Sequence, residues 1–165
     1  MDKAVVLEKI ITSLQFELET YIRAAKFSHA EATAEENRAE NKYDTRGLEA
    51  SYLAAGQANK VVELEAAITS FNDLINQPTH DAIEVGSLIE LEQGEGPGWL
   101  APYRTEFYFI GPIAGGTEVE VEGTEILVIT PESPLGSQLI GLEAGQKSTL
   151  NLAGRKQKCQ VKLVC

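Results

Sequence analysis

The chain has 165 residues, 43% of them hydrophobic, with 25 acidic against 14 basic side chains and a net charge of −11. That length and composition suit one generous globular domain or two small ones. The acidic surplus argues against broad duplex nucleic-acid binding, which needs Lys and Arg to neutralise phosphates, and favours a basic surface or a bound cation as partner.

Neither half of the chain is basic: residues 1–78 hold 8 basic and 13 acidic side chains, and residues 79–165 hold 6 and 12. The two cysteines, Cys159 and Cys165, have no metal-ligand spacing, and on one extended strand they lie too far apart for a disulfide. The N-terminal "MDKAVVLEKI" lacks the apolar core of a signal peptide, and no run of 18 apolar residues occurs. The expectation is a cytoplasmic chain with no membrane association.

From Asp2 to Ile75 there is no proline, and Gly47 and Gly56 are the only glycines, so helix is expected. Leu7, Ile11, Leu14, Leu18, Tyr21 and Ala25 follow spacings of 4, 3, 4, 3 and 4, and Val61, Leu64, Ile68, Phe71 and Ile75 follow 3, 4, 3 and 4. Each is the apolar seam of a coiled coil. Large apolar residues nearly vanish over residues 28–47, and Ala54, Ala55 and Ala58 keep the second seam thin where it begins. An antiparallel hairpin over residues 1–76 is expected, strongly packed where its outer termini meet and lightly packed at a charged tip near residues 34–47.

"NQPTHD" ends the helical pattern and gives a linker at residues 77–82. Beyond it, "EVGSLIELEQ", "RTEFYFIG", "EILVITP", "KSTLNL" and "KCQVKLV" read as strands, and the alternation of Glu118, Val119, Glu120, Val121 and Glu122 marks a half-exposed strand near an edge. "SPLGSQLIGL" offers a short helix with Ser133 as N-cap and Pro134 at N1. Residues 83–165 therefore form a small domain of strands with little helix, and the fold class is α+β.

The tip sequence is unusual in its charge order. "ENRA", "ENKY" and "DTRG" each begin with an acid and carry a base at the third position, so Glu36, Glu40 and Asp44 stack at i+4, as do Arg38, Lys42 and Arg46. On a helix the two stripes lie about 200° apart. Like charges at i+4 repel by a few tenths of ~1 kcal/mol per pair. Solvation, with pairs such as Glu35–Arg38 and Arg46–Glu49 at i+3, is the plain explanation of such a run. A bound cation or a complementary surface would relieve the repulsion, and Mg²⁺ is commonly held by one or two carboxylates. Such a tip supplies half a site; it holds no metal tightly by itself.

These features together resemble the bacterial transcript cleavage factors GreA and GreB. "VGSLIELE" and "ITPESPLGSQLIGLEAGQ" look like that family's C-terminal pattern, and "EATAEENRAENKYD" aligns without gaps to its tip, Glu31, Ala32 and Ala34 matching and Glu40–Asn41 falling on the family's Glu-Asn pair. Asn37 stands where the family has Asp, and Tyr43 is one residue early. The resemblance implies an N-terminal hairpin followed by an FKBP-like β-domain, docking at the secondary channel of RNA polymerase with the hairpin reaching toward the catalytic magnesium. Glu40 carries over as a tip carboxylate, and the second carboxylate is left between Glu36 and Asp44. Glu40 and Asp44 would lend ligands to an Mg²⁺ shared with the polymerase, and Arg38, Asn41, Lys42, Tyr43 and Arg46 would contact the polymerase. The chain is then an accessory factor with no tightly bound cofactor, and the polymerase is the enzyme. A non-cleaving regulator of initiation or pausing that competes for the channel is the alternative.

Of the remaining polar and aromatic residues, Trp99 after "GPG" reads as a loop anchor, and His29 and His80 lack convincing ligand spacings. Arg155, Lys156, Lys158 and Lys162 read as an ordinary solvated strand. Peptidyl-prolyl isomerase activity has only a fold analogy behind it.

Overall fold

The computed structural model describes residues 1–33, 46–78, 80–94, 103–152 and 154–165. Helix α1, Lys3–Thr33, and helix α2, Arg46–Asn72, realise the long proline-free stretch. Asp2 caps the first, its Oδ1 accepting the Ala4 N–H at 2.9 Å. The 31 residues of α1 rise about 46 Å at 1.5 Å each.

Packing divides the chain into two units, Met1–Ile11 with Ser70–Cys165, and Thr12–Thr69. The start of α1 shares a unit with the end of α2, so the two helices run antiparallel, as expected. Within the helical unit, Lys60 Nζ lies 3.8 Å from Glu17 Oε1 across the pair. The α1 seam is buried at Leu14, half-buried at Leu18, Tyr21 and Ala25, and buried again at Ser28, one more step of the same repeat. On α2, Leu64 and Ala67 are buried, whereas Val61, Gln57 and Ala54 are half-buried. Burial thus thins toward the connection, as the small residues there dictate.

The second seam needs one correction at its end. Ile75 is 49% exposed, and Leu74, at 4%, takes the inward position. Past Asn72 the chain continues in turns, with Leu74 N–H bonding to Phe71 O at 3.1 Å and Ile75 N–H to Asn72 O at 3.2 Å. Bonds of that i to i−3 kind repeat every three residues, which brings Leu74 under Phe71.

The six-stranded sheet comprises β1 Leu88–Gly94, β2 Tyr103–Ile110, β3 Glu118–Val121, β4 Thr124–Ile129, β5 Lys147–Leu152 and β6 Arg155–Val164. Its order is β3-β4-β2-β1-β6-β5, with β2 and β4 parallel and the other neighbours antiparallel. A helical hairpin followed by a mixed β-domain is the fold class read from the sequence. The first strand begins later than "EVGSLIELEQ" suggests, because Gly86 at φ 93° turns the chain and the Ser87 hydroxyl accepts the Glu84 N–H at 3.0 Å. β3 stops at Val121, where Glu122 and Gly123, both at positive φ, form a two-residue hairpin turn into β4.

The short helix α3, Gly136–Leu139, starts a few residues after the expected Ser133 cap. Ser133 still satisfies its start: Ser133 Oγ accepts the Gly136 N–H at 2.9 Å, and its carbonyl accepts the Ser137 N–H at 3.0 Å. Gln138 then reaches the edge strand β5, its Oε1 accepting the Asn151 N–H at 2.7 Å.

One face of the sheet packs Ile89, Leu91, Tyr108, Ile110, Leu139, Leu150, Cys159 and Val161 into a core. On the other face, Phe71 meets Phe109 with ring centroids 6.1 Å apart. Gly111 makes that approach possible, since a Cβ there would stand 2.8 Å from Phe71 Cζ and 2.7 Å from Val128 Cγ1. Phe71→Ala is expected to cost about 3–5 kcal/mol through loss of a buried ring. Gly111→Ala is expected to cost about 1–3 kcal/mol through overpacking. Denaturant unfolding of both variants checks these values, and a cost below about 0.5 kcal/mol for either would contradict this packing.

Candidate functional site

Of the residues singled out from the charge pattern, Glu36, Arg38, Glu40, Asn41, Lys42, Tyr43 and Asp44 lie outside the described residues. Arg46 opens α2, and Asn37 and Trp99 also lie outside. What is described is how the chain enters and leaves the segment. α1 arrives through Thr33, whose hydroxyl donates to His29 O at 2.9 Å, and α2 departs with Glu49 in its first turn. Within the helical unit the connection joins the two helix ends remote from Thr12 and Thr69. The seam of α2 contains Gln57, whose buried Oε1 has no hydrogen-bond partner among the described residues, a condition that costs stability.

A second acidic arrangement emerges on the sheet. Glu120 faces Glu125 across β3 and β4, and Glu106 and Glu125 immediately precede the Phe107–Ile126 pair of β2 and β4. The three glutamates therefore form a row over three neighbouring strands. Glu118 sits in the next row beside Leu127, its register partner. Like charges opposite one another destabilise a sheet. Glu106 is held within this row: its carboxylate accepts hydrogen bonds from the Tyr108 hydroxyl and, at 2.7 Å, from the Gln93 amide. Burial, together with the hydrogen bond and charge of Glu106, pushes the Tyr108 phenol well above its ordinary range.

A cavity of about 470 Å³ opens here, lined by Glu106, Tyr108, Glu118, Glu125 and Leu127 among others. An adjoining one of about 430 Å³ is lined by Glu118, Glu120 and Glu125. Among the described residues no group of three or more His, Cys, Asp or Glu is arranged to hold a metal ion. What this face does electrostatically is attract positive charge. Sequence reading identified the Glu118–Glu122 alternation and missed the row. One pair of it is signalled by Glu122–Gly123, because a two-residue turn pairs Val121 with Thr124 and hence Glu120 with Glu125.

The other candidates find ordinary partners. His80 Nδ1 pairs with Glu84 Oε1, and Lys162 Nζ lies 3.4 Å from Glu92 Oε2. Cys159 is buried opposite Ser148, and burial pushes its thiol up. No helix among the described residues is long and apolar enough to cross a membrane.

No family model and no curated protein matches the chain. Among solved structures it is similar to GreA factor homolog 1 (Gfh1) of Thermus thermophilus, with 18% identity over 94% of both chains and a TM-score of 0.37. A structure described as the transcription factor Gfh1 aligns at 18% identity over 94% of this chain and 93% of that one, with a TM-score of 0.40. Gfh1 of Thermus aquaticus aligns at 22% identity over 99% and 96%, with a TM-score of 0.35.

The Tyr108 network makes a titration prediction. A phenol whose pKa is raised on folding adds stability that is complete below the unfolded value of about 10 and is lost as the pH climbs through the folded one. The Tyr108 phenol is expected to ionise in a step above the ordinary phenol range. Alkaline absorbance titration of Tyr108→Phe should lack that step, and its persistence unchanged would contradict the assignment.

Proposed function

We propose that the chain is a Gre-type factor that binds RNA polymerase at the secondary channel and modulates transcription elongation. The observation that carries this reading is the placement of the acid-led tetrads on the connection between two antiparallel helices, Lys3–Thr33 and Arg46–Asn72, ahead of a mixed β-domain. The Ser-Pro-Leu segment of the sequence resemblance supports it, since it forms the turn into α3 between two strands. In functional terms the chain divides into a hairpin over residues 1–76, a linker over 77–82 and a docking domain over 83–165.

The chemistry asked of the tip is modest. Glu40 and Asp44 are hard oxygen donors four residues apart, suited to lending one or two ligands to an Mg²⁺ completed by the polymerase. Such a shared ion, when bound, stabilises the attacking and leaving oxygens of an in-line displacement on RNA. Arg38, Lys42 and Arg46 hold phosphates or channel carboxylates, with Asn41 and Tyr43 as polar contacts, and Glu36 adds negative charge beside them. The chain contributes charge and position, and the polymerase does the hydrolysis.

Asn37 favours a second reading. An amide at the position of the family's aspartate carries no negative charge, so a non-cleaving regulator that competes with Gre factors for the channel is the alternative.

A transcript-cleavage assay on stalled polymerase separates the two. In the cleaving reading, wild type shortens backtracked RNA in an Mg²⁺-dependent way and Glu40→Ala lowers the rate at least about tenfold with polymerase binding unchanged. Displacement of a Gre factor without RNA shortening selects the regulator. Absence of polymerase binding overturns both.

A further inference from the structure

Helix α2 carries a second apolar seam besides the buried one. Leu48, Tyr52, Ala55, Asn59, Val62 and Ala66 succeed one another at spacings of 4, 3, 4, 3 and 4, and all six are exposed. Three of them are large: Leu48 is 56% exposed, Tyr52 72% and Val62 65%. At 100° per residue the six span about 80° of arc, centred on the side of the helix opposite Ala54, Val61, Leu64 and Ile68. The seam runs about 27 Å at 1.5 Å per residue. A helix facing only water on that side has no use for a repeat averaging 3.5 residues, whereas a helix covered by another needs one.

The flanks of this seam specify what covers it. In the heptad that places Tyr52, Asn59 and Ala66 at one core position and Leu48, Ala55 and Val62 at the other, the flanking positions are Glu49, Ser51, Gly56, Ala58, Glu63 and Glu65. None is basic. Glu63 touches Lys60 Nζ at 4.0 Å, but that ammonium lies on the inward side, 3.8 Å from Glu17. We propose that the outer seam of α2 docks a partner protein's helix whose own seam is apolar and whose flanking positions carry lysine or arginine. Flanking charges choose partners in helix pairing, and here they ask for the opposite sign. The α2 seam of a second copy offers the same acidic flanks and adds its own charge of −11. Asn59, the polar residue in mid-seam, sets the register by requiring a polar residue across from it. The seam uses none of the tip residues over 36–46, and its peptide test is made without polymerase.

The test uses the full chain and two synthetic amphipathic helices with leucine at the seam positions and one central asparagine, one flanked by lysine and one by glutamate. Fluorescence anisotropy at physiological salt is expected to show the lysine peptide binding at least about tenfold tighter than the glutamate peptide. Val62→Glu decides between the seam and bulk electrostatics. It makes the chain more negative, so attraction by net charge alone would strengthen, whereas docking on the seam should weaken at least about tenfold. Tyr52→Glu repeats the measurement one and a half heptads away, with circular dichroism verifying helix content in both variants. Equal binding of the two peptides, or lysine-peptide binding that both variants leave unchanged or tighten, overturns the proposal. Sedimentation of the wild type as a dimer that Val62→Glu dissociates also overturns it, by showing that a second copy covers the seam.

Discussion

A helix pair in water must bury a continuous apolar stripe, and in this chain the side chains able to do so are unevenly distributed. Val6, Leu7, Ile10, Ile11 and Leu14 are buried near the start of α1, and Leu64, Ala67 and Phe71 near the end of α2. Toward the connection the same repeat is filled by Ala25, Ser28, Ala54 and Gln57. The helices are therefore held at one end by hydrophobic burial and continue beyond it mainly by regular backbone hydrogen bonding. Over residues 34–45 the sequence holds almost no large apolar side chain and is dominated by charge.

Charge arrangement is a pattern that recurs along the chain. Like-signed residues recur at i+4 through residues 36–46, glutamates line up across β3, β4 and β2, and the outer seam of α2 is flanked by glutamate. Glutamates facing one another across neighbouring strands cost a few tenths of ~1 kcal/mol per pair in the free protein. A positively charged partner reverses the sign of that cost. The pattern is the one expected of a protein whose favourable electrostatics are completed by something else.

The sequence spoke clearly wherever a period was long or a turn was short. Two seven-residue seams located both helices, and strand patterns bounded by glycine and proline located the sheet. Reading failed where local geometry departs from the regular period. An α-helical repeat puts Ile75 inward, but turns with i to i−3 bonding bury Leu74 instead. The Ser-Pro signal puts a cap at Ser133, whereas the helix begins only at Gly136. The glutamate row was illegible from alternation alone, because strand order and register are long-range properties. The candidate tip was legible as chemistry, in residue type and spacing, and its residues lie outside those described.

Where residues 36–46 sit on the polymerase is measured most directly by proximity. A photo-activated crosslinker placed at Asn41 in the full chain, mixed with core RNA polymerase and mapped by mass spectrometry, should attach to polymerase segments bordering the catalytic magnesium. Crosslinks confined to the outer surface of the polymerase, or none at concentrations where the chain is bound, would contradict delivery of Glu40 and its neighbours to that site.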